Sequence, residues 1–338
     1  MSKVINNKVN AQNEDKFPFD PRSIFSIKSE DDFNEKALQL FNYQLDNNDV
    51  YKTYCEHLNI DRNAINHYSK IPFLPISFFK THTIKTYQEN SAVTFSSSGT
   101  TGTVTSKHHV KDLSIYEASF IQGFELNYGP IEDYIVLGLL PSYLEREGSS
   151  LIYMVDRFIQ LSKHAESGFF LDEYDALDAI IKKNAGKKIL LIGVTYALLD
   201  FGEKYAPDLS QCVIMETGGM KGKRREMIKA ELHTLLRELF SASIIHSEYG
   251  MTELLSQAYS EGVKFKSPPW MKILIRSHSD PFELIENKTG GINIIDLANI
   301  HSCAFIATQD LGRSAHGTFE VMGRFDNSDI RGCNLLVQ

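Results

Sequence analysis

Residues 95–102 read Phe-Ser-Ser-Ser-Gly-Thr-Thr-Gly, with no bulky side chain after Phe95. Ser96, Ser97, Ser98, Thr100 and Thr101 supply hydroxyls. Gly99 and Gly102 leave backbone N–H groups bare and let the chain turn through positive φ. Donors at that density suit a polyanion such as a phosphate chain. Lys107 follows five residues later with a positive charge. The other reading is a flexible linker, the usual meaning of a Ser/Gly run. Against it, the run is short, lies between apolar segments, and carries threonines where linkers carry charge. No Gly-Lys-Ser/Thr closes it, so it is neither a Walker loop nor the dinucleotide fingerprint.

Two more polar clusters follow apolar runs. Residues 216–222 read Glu-Thr-Gly-Gly-Met-Lys-Gly after the run 212–215, and residues 247–253 read Ser-Glu-Tyr-Gly-Met-Thr-Glu after Ile244 and Ile245. The elements that must position them are short apolar strands at 135–140, 189–192, 212–215 and 244–245. Helical patterns lie between, the clearest over 223–240 with Ile228, Leu232, Leu235 and Leu239 on one stripe. Strands separated by amphipathic helices imply an α/β fold with a mostly parallel sheet covered on both faces. Ligands then bind at the carboxyl ends of the strands, where both clusters fall. Helical spacing is also present from Asp31 to about Asn59. The segment 71–76 holds two prolines and reads as an extended, buried connection. After Trp270 the helices thin out, and 273–275, 292–295 and 305–306 read as strands of a more antiparallel unit.

These patterns divide the chain into a loose stretch over 1–20, an α/β core over 21–262 and a β-rich part over 263–338. The 338 residues bury ample core without disulfides or a structural metal. A net charge of −8 argues against a nucleic-acid binder. Cys55, Cys212, Cys303 and Cys333 form no CxxC pair and read as reduced thiols. No HxxxH or HExxH spacing points to a metal. Neither a signal peptide nor a membrane span is visible, so a cytoplasmic location is expected.

Taken in order, the hydroxyl-rich loop, Gly218-Gly219, the Tyr-Gly-Met-Thr-Glu run 249–253, Asp310-Leu-Gly312 and Gly323-Arg-Phe-Asp326 resemble the adenylate-forming superfamily of acyl-CoA ligases and luciferases. The segments 71–80, 140–150 and 329–335 narrow the resemblance to LuxE-type acyl-protein synthetases of bacterial luminescence, which are fatty acid–protein ligases. The likeness covers most of the chain from about residue 30.

The resemblance implies the fold of the larger, N-terminal domain of those enzymes: layered, mostly parallel sheets, flanking helices and a smaller β-rich part, without the mobile lysine-bearing domain. It implies ATP and Mg²⁺ as cofactors and a carboxylic, fatty acid as substrate. By the same resemblance, Ser96, Ser97, Ser98, Gly99, Thr100, Thr101 and Gly102, with Lys107, hold the phosphates. Gly218, Gly219 and Met220 line the adenine pocket with Tyr249 against the ring. Thr252 touches the phosphate or reacting carboxylate, Glu253 holds the metal, Asp310 takes the ribose hydroxyls and Arg324 bonds the ribose or α-phosphate. A carboxylate is acceptor-only and suits a diol, and a guanidinium suits phosphate. Acyl-AMP would then pass its acyl group to a thiol, in the family an enzyme cysteine near the C-terminus, here Cys333. The acyl group would go on to a protein partner such as a fatty acid reductase or carrier protein. Delivery of the acyl-adenylate to CoA, a carrier protein or an amine is a second reading, and a nucleotide-binding module without catalysis a third. The bland alternatives are a buried Cys333, a core Tyr249, a turn role for Asp310 and a surface ion pair for Arg324.

Overall fold

Three carboxylates occupy the first turn of α1 (Glu30–Asn47), where the helix dipole favours them, and the Ser29 hydroxyl caps it by accepting from the Asp32 N–H at 3.1 Å. The single helical stretch read at 31–59 is two helices. Asn48 is extended, and its side chain caps α2 (Asp49–His57) through the Tyr51 N–H. Gln44 on α1 is fully buried. Its amide donates to the carbonyls of Asn299 and Ile300 at 2.8 and 3.0 Å and accepts from the Ala304 N–H at 2.9 Å.

The computed structural model describes residues 17–97, 104–141, 148–171, 173–218 and 227–325. The proline-bearing connection forms a two-residue strand, β1 (Leu74–Pro75), and leads to α3 (Phe78–Thr81). A separate hairpin, β2 (Val93–Ser96) and β3 (Lys107–Val110), flanks the hydroxyl-rich loop. Then come α4 (Leu113–Tyr128), β4 (Ile135–Leu139), α5 (Ser150–Leu161), β5 (Gly168–Phe169), α6 (Tyr174–Lys183), β6 (Ile189–Val194), α7 (Thr195–Tyr205), β7 (Val213–Thr217), α8 (Lys229–Phe240) and β8 (His246–Tyr249). The remaining strands are β9 (Ala258–Glu261), β10 (Lys264–Lys266), β11 (Met271–Arg276), β12 (Gly290–Asp296), β13 (Phe305–Ala315) and β14 (Thr318–Arg324).

Twelve of these strands form one sheet in the order β11-β12-β13-β14-β10-β9-β8-β7-β6-β4-β5, with β1 added beside β13. The run from β5 to β8 is parallel, and pairing turns antiparallel at β8–β9. Every residue of β4 and β6 is buried, as their unbroken apolar sequences require of strands covered on both faces. The strand expected at Ile244 and Ile245 begins at His246 instead, because Ile244 faces outward and pairing starts one residue past Ile245. Helix α8 starts at Lys229, and Ile228 before it is 73% exposed. Its buried face is Leu232, His233, Leu236 and Phe240, with Leu235 and Leu239 at the edge of the core. No helix among the described residues is long and apolar enough to cross a membrane.

Candidate active site

Strand ends β4, β7 and β8, the base of the β2–β3 hairpin and the C-terminal end of β14 surround a cavity of about 670 Å³. Of the residues singled out in the sequence, Ser96, Ser97, Gly218, Tyr249, Thr252, Glu253, Asp310 and Arg324 all line it. Lys107 opens β3 opposite Ser96, is exposed, and stands outside that lining. Ser98, Gly99, Thr100, Thr101, Gly102, Gly219, Met220 and Cys333 lie outside the described residues.

The hairpin base is closed by Ser97 and Ser106. The Ser97 N–H donates to the Ser106 carbonyl at 3.1 Å, and the Ser106 N–H donates to Ser97 Oγ at 2.9 Å. These bonds close the hairpin base, and the hydroxyl of Ser96 has no hydrogen-bond partner among the described residues. On β3, His108 is buried and its Nδ1 lies 2.8 Å from the Thr252 carbonyl. A carbonyl only accepts, so the ring proton sits on Nδ1. This bond ties the hairpin to the Thr252–Glu253 turn. Burial lowers the His108 pKa to about 4, against the upward pull of the Thr252 bond. A histidine neutral in the fold and titrating near 6.5 when unfolded contributes stability above pH 6.5 that is lost as pH falls towards 4. The His108→Gln variant should lose that acid-sensitive step, which amounts to roughly 3 kcal/mol at most. Urea melts from pH 7 to 4 check it, and equal slopes for the two proteins would count against it.

The Thr252–Glu253 turn is held from below by Asp296 and Asn299. Asp296 accepts from the N–H groups of Leu255 and Ser256 at 2.8 and 2.9 Å, from the Ser256 hydroxyl at 2.5 Å and from the Ala298 N–H at 3.1 Å. Asn299 donates to the Glu253 carbonyl at 2.8 Å. Glu253 itself is 6% exposed and forms no ion pair among the described residues. Burial raises its pKa, while Ser106, Arg324 and Lys80 pull it down. A buried carboxylate left without an ion-pair partner among the described residues suits a divalent ion, and one carboxylate plus substrate oxygens is what Mg²⁺ takes.

Asp310 on β13 faces Arg324 on β14 in register. Its Oδ2 accepts from the Tyr249 hydroxyl at 2.8 Å and its Oδ1 from Arg324 Nε at 3.1 Å. Each oxygen keeps a lone pair for a donor in the cavity. The Tyr249 ring is held by Phe265 and Phe319 at 5.8 and 5.5 Å, so its remaining surface faces the cavity as a fixed wall.

Beneath the site lies a network that sequence reasoning missed. Glu216 binds Lys229, accepts from the Ser247 hydroxyl at 2.5 Å, and lies 3.6 Å from His233 Nε2. Burial raises its pKa, but His233, Lys229 and Ser247 together bring it down to about 2. Lys80, at the end of α3, and Lys229 are cations of the cavity lining that spacing did not single out. The signal for Lys229 was the helix start itself, a lysine where the dipole disfavours one. His246 bonds Tyr128 at 3.2 Å and does not line the cavity. Phe79 is buried in the core and does not line the cavity.

A family model described as acyl-protein synthetase, LuxE, matches residues 2–123. The long-chain-fatty-acid–luciferin-component ligase of Vibrio harveyi is 24% identical over 324 residues, covering 87% of this chain and 84% of that protein. Among solved structures, ATP-bound MatB from Rhodopseudomonas palustris superposes with a TM-score of 0.53 at 14% identity, over 70% of this chain and 49% of its own. The McyG A-PCP protein with phenylalanyl-adenylate gives 0.51 at 16%, over 81% and 54%. The chain thus spans about half the length of these solved structures. Their likeness shows the fold: it is the one expected for an adenylate-forming enzyme.

Proposed function

We propose that this chain, which is similar to LuxE-type acyl-protein synthetases, activates a carboxylic acid with ATP and passes the acyl group to a protein thiol. One observation carries the reading: residues from Ser96 to Arg324, nominated on sequence alone, line one cavity. The relative in Vibrio harveyi is named for a long-chain fatty acid, and that class is the first to test.

In the first half-reaction a carboxylate oxygen bonds the α-phosphorus and the bond to the β-phosphate breaks, releasing pyrophosphate. Ser96 and Ser97, with Ser98, Gly99, Thr100, Thr101, Gly102 and Lys107, bind the phosphates. Gly218, Gly219 and Met220 form the adenine wall with Tyr249, and Asp310 accepts from the ribose hydroxyls. Arg324, pre-oriented by Asp310, donates to the ribose or α-phosphate, and Thr252 donates to the reacting oxygens. Lys80 adds charge at the same mouth. Mg²⁺ held by Glu253 would supply neutralisation of the phosphate oxygens. Positioning and charge stabilisation of this kind are what phosphoryl chemistry needs.

In the second half-reaction a thiolate attacks the acyl carbon, forming a thioester and releasing AMP. Burial pushes Cys55 and Cys303 up to about 12 and Cys212 up to about 11, so these three are poor thiolates at neutral pH. That supports Cys333 as the acceptor. The purified protein should catalyse carboxylate-dependent exchange of labelled pyrophosphate into ATP, and no exchange with any acid would refute the reading. Hydroxylamine-sensitive acyl label should appear on the chain and vanish in Cys333→Ser. Label persisting there removes Cys333 from the mechanism, and label found only on an added carrier protein or CoA moves the acceptor outside the chain.

A further inference from the structure

The cavity contains polar groups that nucleotide binding leaves unused. Glu248 on β8 is the direct partner of Tyr259 on β9, so their side chains leave the same face of the sheet. Gln257 and Gly250, two residues from each, share that face. A Cβ at Gly250 would stand 2.3 Å from Glu248 Oε1 and 3.3 Å from Gln257 Cγ. The glycine therefore leaves the room into which the Glu248 carboxyl folds beside the amide. The Thr217 hydroxyl donates to Glu248 Oε2 at 2.6 Å, and no described residue bonds Oε1.

Gln257 is 5% exposed and Tyr259 2%, yet Gln257 Oε1 and the Tyr259 hydroxyl have no hydrogen-bond partner among the described residues. Buried polar atoms are nearly always bonded, so these unmet groups call for an explanation. Gln257 and Glu248 both line the cavity, whose lining also includes the apolar Leu151, Ile152 and Met154. An amide oxygen only accepts, so what is missing is a donor.

We infer that the acid activated in this cavity carries a hydrogen-bond donor on its carbon chain, a hydroxyl or an amino group, which Glu248 and Gln257 hold. The inference rests on the adenylation reading and deepens it. A pocket built to hydrogen-bond a substrate discriminates strongly against the analogue that lacks the group, because its own polar atoms are then left unpaired. Burial, with Glu216 adding to it and Thr217 opposing, raises the Glu248 pKa to about 7. Its neutral and ionised forms therefore coexist near neutrality. A hydroxyl is served by either form, and an ammonium by the ionised form alone.

The test is pyrophosphate exchange by the full chain on matched unsubstituted, hydroxylated and aminated acids of graded length. The donor-bearing member of a set should exceed the unsubstituted one by at least about tenfold in kcat/KM. An amino preference should grow as pH rises through 7, whereas a hydroxyl preference should stay flat. Gln257→Leu and Glu248→Leu should each erase the preference, and if either fails to fold the wild-type comparison stands alone. Wild-type preference for unsubstituted acids at every length overturns the inference and leaves adenylation intact. Exchange with no acid of any kind overturns both.

Discussion

Glu253→Gln is expected to lower carboxylate-dependent pyrophosphate exchange by about 10²–10³-fold, the usual effect of deleting one preorganised electrostatic group. Glutamine matches the side chain in size and keeps an oxygen to accept from Ser106, so the turn resting on Asp296 and Asn299 should persist. What is lost is the negative charge that would hold a divalent ion against the phosphates. Stability should move the other way. Burial raises the pKa of Glu253 above its ordinary value, so keeping it ionised costs folding free energy once pH exceeds the unfolded titration range. The neutral variant should melt at the same temperature as the wild type or higher. Exchange within threefold of wild type would remove Glu253 from the chemistry, while a sharp fall in melting temperature would mean that the turn, and not the ion, had been damaged.

The second large effect is on stability. Glu216→Ala should cost about 3–5 kcal/mol, the range for breaking a buried ion pair from one side. The carboxylate is the common partner of Lys229 and the Ser247 hydroxyl and stands against His233, whose Nδ1 is already buried without a partner among the described residues. Its removal leaves the Lys229 charge under the cavity without its counter-ion, held only to Ser247 Oγ at 3.1 Å. The pH dependence has a definite sign. With a folded pKa near 2 and an ordinary value of 4.5, the pair contributes stability above pH 4.5 that disappears as pH falls towards 2. Wild type should therefore lose stability across that window, and the variant should lose less. Denaturant melts at pH 7 and 3 suffice, and a loss under about 1 kcal/mol at pH 7 would show the network to be dispensable.

Much of the cavity was readable before any coordinates because nucleotide recognition uses side chains of distinctive type at strand ends. Tyr249, Thr252, Glu253 and Arg324 each stand beside a glycine or in a turn, where a polar residue announces itself, while Asp310 lies within β13 two residues before Gly312. The groups that went unread act from inside regular structure. Asp296 closes β12, whose other residues apart from Asn293 are glycine or isoleucine, and bonds only backbone and a serine hydroxyl. His108 looks like one of a pair of surface histidines until its burial is known. Lys80 reads as the end of an aromatic helix. Glu216 and Ser247 are register partners on neighbouring strands, and pairing register is not written in either strand alone. Helix boundaries failed for a related reason. Periodicity ran through Asn48 and began before Lys229, since local spacing does not record a cap or an unpaired turn.

The side-chain amide of Gln44 waits 255 residues for its first backbone partner. During synthesis the first helix leaves the ribosome with its apolar side uncovered, and the peptide groups that seal it are made among the last. Contacts so far apart in the chain slow folding and leave intermediates prone to aggregate. Maturation of this molecule is thus a delayed event, and chaperones that shield an early helix should govern its yield.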